Sequence, residues 1–169
     1  NADIQRLLAA NGHLIAVTPD GHLLSFGAKK SEPTQLNEAL TALPSNATAT
    51  EQAREFMQLI GDPNGQIVCY GSDITALIDA LIQESSVPLI IVEPDATKVF
   101  ALRQRLNAVG KNGLGATVQH ASLATFQPPP YFAHLTIIEA GAASALKDKN
   151  LLQKCYDSVR PYGGLLSVP

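Results

Sequence analysis

Charge is scarce in this chain. Only 16% of its 169 residues are Asp, Glu, Lys or Arg, against about 25% in an ordinary globular domain. Acids outnumber bases 15 to 12, a net charge of -3. No basic excess is present to hold nucleic acid or an anionic membrane, so neither is expected as a partner. Two cysteines, Cys69 and Cys155, cannot form a disulfide framework. Each sits in an apolar pattern and reads as a packed free thiol. No histidine has metal-ligand spacing, so no metal site is expected. No apolar run approaches the roughly 20 residues that cross a bilayer, and no signal-peptide pattern is visible. What is present is apolar: 46% of the chain. That composition excludes a disordered or collagen-like chain. The length suits one domain with a small appendage. The first residue is Asn1 and the last is Pro169, directly after the apolar run from Leu165 to Val168. The expectation is a piece of a longer protein.

Residues 1–27 read as a three-stranded antiparallel meander. Asn11-Gly12 is a strong hairpin signal, because both central residues of a type I′ turn need positive φ. Pro19-Asp20-Gly21 marks a second turn before His22–Phe26. Residues 28–49 read as a linker, with a short helix expected around Gln35 to Leu43. From Thr50 the apolar spacing of Ala53, Phe56, Met57 and Ile60 is helical.

Beyond Gly65, continuous apolar strands alternate with amphipathic helices. The expected strands are Ile67–Tyr70, Leu89–Val92, Ala116–Val118, Leu135–Ile138 and Leu165–Val168. This pattern implies an α/β, Rossmann-like, doubly wound and mostly parallel sheet. Gln127-Pro128-Pro129-Pro130-Tyr131 stands where a helix would be usual. Three prolines forbid one, and a stiff connector is favoured over a recognition loop. The small residues from Ala140 to Ala145 suggest a mobile loop.

Ligands of such sheets bind beyond the carboxyl ends of the strands. That selects Gly71, Ser72, Asp73, Glu93, Ser122 and Glu139 as candidate site residues. Asp73 is also a natural helix cap before Ile74. Glu93 reads equally as a ligand or as a solvated acid, with Asp95 capping the next helix. Glu139 reads more readily as a solvated loop acid. His120 and His134 have no carboxylate partner in sequence and are weak candidates for a base. Gly71 is the sole glycine between Tyr70 and Glu93. A nicotinamide-binding Gly-x-Gly-x-x-Gly turn is therefore excluded.

The order of strand, glycine turn, helix and strand ending in Glu93 resembles class I S-adenosylmethionine-dependent methyltransferases. Arg160-Pro161-Tyr162-Gly163-Gly164-Leu165-Leu166 is similar to that family's turn before its fifth strand. The resemblance covers roughly residues 50–169. It implies S-adenosylmethionine as cofactor, with the turn after Tyr70 facing its amino-acid part, Glu93 on the ribose and Ser122 near the base. The family's Gly-x-Gly-x-Gly turn reads Gly71, Asp73, Thr75 here, so only the first glycine is kept. The family's final antiparallel strand pair would lie past Pro169.

The segment Leu8–Thr18 through Leu24-Ser25-Phe26-Gly27 looks like one blade repeat of pyrroloquinoline-quinone-type (PQQ) β-propeller quinoproteins. One blade binds no quinone by itself. This resemblance implies a larger bacterial propeller chain as partner and an exported or periplasmic parent protein. The bare meander edges also offer self-association. Two functions are therefore carried forward. One is a methyltransferase-like, S-adenosylmethionine-binding domain. The other is a non-catalytic structural or protein-interaction module that kept the fold.

Overall fold

The computed structural model describes residues 3–29, 39–61 and 64–169. The chain divides into two compact units, residues 1–37 and 38–169.

The first unit is the expected meander: β1 (Arg6–Ala10), β2 (His13–Val17) and β3 (Leu23–Gly27), antiparallel in that order. Asn11 and Gly12 take φ of 49° and 75°, the left-handed conformation that the hairpin sequence signals. The second turn is tied by the buried Thr18, whose Oγ1 accepts from the His22 N–H at 3.0 Å.

The second unit begins with α1 (Ala47–Ile60), three residues earlier than the apolar spacing suggests. Asn46 accounts for the earlier start, because its side chain accepts the Ala49 N–H at 3.0 Å and caps the helix. Gly61 closes it in the left-handed conformation at φ 63°. Residues 39–43 carry no helix, and the rest of the short helix expected there lies outside the described residues.

Strands and helices then alternate: β4 (Ile67–Tyr70), α2 (Thr75–Glu84), β5 (Leu89–Glu93), α3 (Ala96–Ala108) and β6 (Ala116–His120). β7 (Leu135–Ile138), α4 (Ala140–Ala143), α5 (Lys149–Ser158) and β8 (Leu165–Ser167) follow. The five strands are parallel in the order β6-β5-β4-β7-β8. Strand order reverses between β4 and β7, which opens a crevice at their carboxyl ends.

Alternation along β4 separates two cores. Ile67 and Cys69 face the layer of α1, α2 and α3, with Phe56, Ile78, Leu81 and Leu106. Val68 and Tyr70 face the other layer, with Leu123, Ile138 and Cys155. In the first of these layers Asp79 on α2 is buried and is held by the Arg105 guanidinium of α3, whose Nε donates at 3.2 Å. Desolvation still pushes its carboxyl above the ordinary range.

No helix joins β6 to β7. The connector is pinned instead by Lys154 of α5, whose Nζ donates to the carbonyls of Leu123, Ala124 and Phe126 at 2.5, 3.1 and 2.9 Å. The proline run follows this pinned stretch with Pro129 and Pro130 exposed, and the Tyr131 N–H ties its end to the Asp157 carbonyl at 2.9 Å. Residues 140–145, expected to be a loop, form α4 and the start of a 3₁₀ turn over Ser144–Lys147. Their Ala content favours helix, and the Ala142 and Ala143 N–H groups bond the Glu139 carbonyl.

Candidate functional site

The site is built at the carboxyl ends of β4, β5 and β7, with Ser122 just beyond β6. Gly71 follows β4 with φ 96°, a conformation that side-chain-bearing residues rarely adopt. Its N–H donates to the Val92 carbonyl at 2.9 Å, which fixes the turn against β5. The Glu139 side chain lies flat over Gly71. A Cβ at Gly71 would stand 2.0 Å from the Glu139 Cγ. Only glycine admits that approach. Glu139 Oε2 accepts the Asp73 N–H at 2.7 Å.

Ser72 is buried beneath this turn and donates to Glu93 Oε2 at 2.5 Å. The Asp95 N–H donates to Glu93 Oε1 at 2.9 Å. Glu93 is 3% exposed, so it is not a solvated acid at a strand end. These two bonds give each oxygen a partner, as burial of a polar group requires. Each of its oxygens keeps a further lone pair.

Asp73 does not cap α2. The cap position belongs to Ile74, with no side-chain bond. The Asp73 carboxylate turns outward to Lys98 Nζ at 2.5 Å, and this bond raises the lysine pKa. Thr75 donates to the Ser72 carbonyl at 2.9 Å and supports the turn in place of a cap. Asp95 does cap its helix, accepting the Thr97 and Lys98 N–H groups, which lower its pKa.

A cavity of about 430 Å³ opens at the carboxyl ends of β4, β5 and β7. Gly71, Glu93, Ser122 and Glu139 all line it. Ser72 and Asp73 do not: Ser72 orients Glu93 from below, and Asp73 faces neighbouring clefts. Glu139 is half-buried, which corrects its reading as a solvated loop acid. Ser122 is held by Thr125, whose N–H donates to the Ser122 Oγ at 3.2 Å.

Sequence reasoning missed Lys98, Leu123 and Ala124 as lining residues. Lys98 follows the Asp95 cap by three positions, which was the available signal. Leu123 and Ala124 are brought in by the connector that Lys154 pins.

His120 and His134 do not line the cavity. His120 Nε2 bonds the Pro94 carbonyl at 3.0 Å, and His134 is buried against Gly65. Burial pushes the Cys69 thiol up to about 12 and also raises Cys155, so both are inert thiols. Among the described residues, no three His, Cys, Asp or Glu gather as metal ligands. No described helix is long and apolar enough to cross a membrane.

No protein-family model and no curated protein matches the chain. Solved structures do. A candidate S-adenosyl-L-methionine-dependent methyltransferase from Methanococcus maripaludis superposes with a TM-score of 0.60 at 14% identity, over 69% of this chain and 53% of that one. The α/β unit has the class I methyltransferase fold. The geranyl diphosphate C-methyltransferase of Streptomyces coelicolor, bound to S-adenosyl-L-homocysteine, superposes at 0.56 and 13% identity, over 68% and 42% of the two chains. A glycopeptide N-methyltransferase bound to sinefungin reaches 0.54 at 18% identity, over 70% and 48%. The chain spans about half the length of these methyltransferase structures.

The methyltransferase fold frames the test of fit. The Glu93 end fits a ribose: a buried, ordered carboxylate with free lone pairs faces the cavity. The Gly71 end does not fit the cofactor's amino-acid part. Glu139 covers the glycine and has taken the Asp73 N–H.

Proposed function

We propose that the α/β unit is a methyltransferase-like domain whose cavity binds an S-adenosyl nucleoside, with Glu93 accepting the ribose hydroxyls and Ser122 beside the base. One observation carries this reading. The sheet order and the cavity bring Gly71, Glu93, Ser122 and Glu139 to one crevice at the β4–β7 switch point. Its volume suits a ligand of that size. Methyl transfer in such a site rests on positioning rather than a dedicated base, and no acceptor group is assigned.

Calorimetric titration with S-adenosylmethionine and S-adenosylhomocysteine tests it. Saturating heat that disappears in Glu93→Ala supports the proposal. An unchanged isotherm in that variant removes Glu93 from it, and no heat at millimolar concentration with these two or with 5′-methylthioadenosine, which keeps the nucleoside but lacks the amino-acid tail, sinks it.

A second reading is a non-catalytic module. It is favoured by the internal bonding of the same groups: Ser72 and Asp95 on Glu93, and Glu139 on the Asp73 N–H. The meander is proposed as one layer of a larger β-structure, the blade-like part of a parent chain. Cross-strand register puts Leu7, Leu14, Leu24 and Phe26 on one face and Leu8, Ile15, Val17 and Leu23 on the other. A sheet that is apolar on both faces is suited to lie between two others.

A further inference from the structure

The Glu139 carboxylate occupies the glycine turn that the nucleoside-binding reading gives to the ligand's 5′ substituent. From this we infer that the cavity selects a nucleoside whose 5′ substituent ends in an amine and carries no carboxylate. This inference rests on the nucleoside-binding reading above.

Four observations support it. Glu139 packs directly on Gly71, closing the approach that a bare glycine would otherwise give a ligand. Its Oε2 takes the Asp73 N–H at 2.7 Å, so that donor of the turn is already matched with an anion. A second carboxylate there would lose that hydrogen bond and meet a like charge. The third observation is the supply of cations. Among the described residues Lys98 is the one basic side chain lining the cavity, and its Nζ is held at 2.5 Å by Asp73, which lies outside. The fourth is the surplus of acid. Glu93, Asp95 and Glu139 all line the cavity, and this negative rim attracts an ammonium group.

The turn's departure from the Gly-x-Gly-x-Gly pattern thereby gains a chemical meaning. Asp73 and Thr75 replace the two later glycines, and Glu139 fills the space over the first. The turn has exchanged an external carboxylate for an internal one. Glu139 is a specificity-determining residue in this reading, because the group it excludes is the group it imitates.

The test uses two probes that share the nucleoside, the sulfonium and the amine: S-adenosylmethionine and its decarboxylated form, S-adenosyl-3-methylthiopropylamine. They differ only by the carboxylate. The 169-residue chain is titrated with each by calorimetry. The decarboxylated probe should bind at least tenfold more tightly. Glu139→Ala frees the Asp73 N–H and removes the charge, and should erase or reverse that ratio. Glu139→Gln keeps the shape and should narrow the ratio without abolishing binding of either probe. Circular dichroism confirms that both variants are folded. Tighter binding of S-adenosylmethionine by the unmodified chain overturns the inference and leaves the nucleoside-binding reading standing. So does a ratio unmoved in both variants. If neither probe binds, the inference falls, and the nucleoside-binding reading falls with it when 5′-methylthioadenosine is silent too.

Discussion

Leu23 in β3 keeps 72% of its surface exposed, while Leu135 in β7 keeps none. Both sit in short strands of similar composition. The difference lies in what covers the strand. β7 is the fourth strand of a five-stranded parallel sheet with a helical layer on each face, so both sides of the strand are dry. The meander has three strands and large apolar groups on both faces, and Leu7, Leu8, Leu14 and Phe26 are all exposed. Strand-forming sequence is thus sufficient for the ladder but not for the burial. The two units are held by different means: one by hydrophobic burial, the other chiefly by backbone pairing and turn geometry.

Substitutions can break this comparison or sharpen it. The largest effect is expected in the α/β core. Ile91 is fully buried in β5, and Ile91→Ala should cost about 2–5 kcal/mol in urea denaturation. A cost under about 1 kcal/mol would mean that the parallel sheet is no better packed than the meander.

Next comes Gly71→Ala, in the same unit but limited to the turn. The positive φ and the overlap with Glu139 should cost about 1–3 kcal/mol. The same variant should lose nucleoside binding in the calorimetric assay. If Gly71→Ala matches the unmodified chain in both stability and binding, the close approach of Glu139 is not a constraint.

Asp95→Ala removes the cap of α3 and should lower the melting temperature by about 2–4 °C. It also removes one acid from the rim of the cavity. The two effects separate by comparing melting with binding.

Smallest of all, Leu23→Ser should change stability by no more than about 0.5 kcal/mol, because the side chain is already exposed. Its consequence should instead appear as reduced self-association in sedimentation at high concentration. A large loss of stability would show that the meander face is covered in solution.

Much of this architecture was legible in the sequence because its signals are local. Asn11-Gly12 specifies a hairpin by its φ requirements. The run Leu135–Ile138 specifies a strand buried on both faces by its lack of alternation. Asp95 specifies a helix start by its side-chain geometry. Asn46 carried the same signal for α1, and following the apolar spacing alone placed that helix three residues late. The Ala-rich stretch after Glu139 reads as a mobile loop from its small residues, yet it is helical. Neighbouring backbone bonds decide this.

The candidate site was legible only as a set of strand ends. Gly71, Glu93, Ser122 and Glu139 follow from the rule that ligands bind at the carboxyl ends of parallel strands. Their chemistry does not follow from that rule. Asp73 has the sequence context of a cap, yet its carboxylate is drawn to Lys98, a residue 25 positions away. Glu139 reads as a solvated acid, yet parallel pairing of β4 with β7 sets it over a glycine 68 positions earlier.

The sequence by itself determined the periodicities, the turns, the glycine at Gly71 and the shortage of charge, because each depends on residues a few positions apart. Tertiary structure alone decided which carboxylate meets which donor. That choice depends on strand order and register, which bring distant side chains within hydrogen-bond reach. In the cavity it turned an unremarkable acid after a buried strand into the group that occupies the glycine turn.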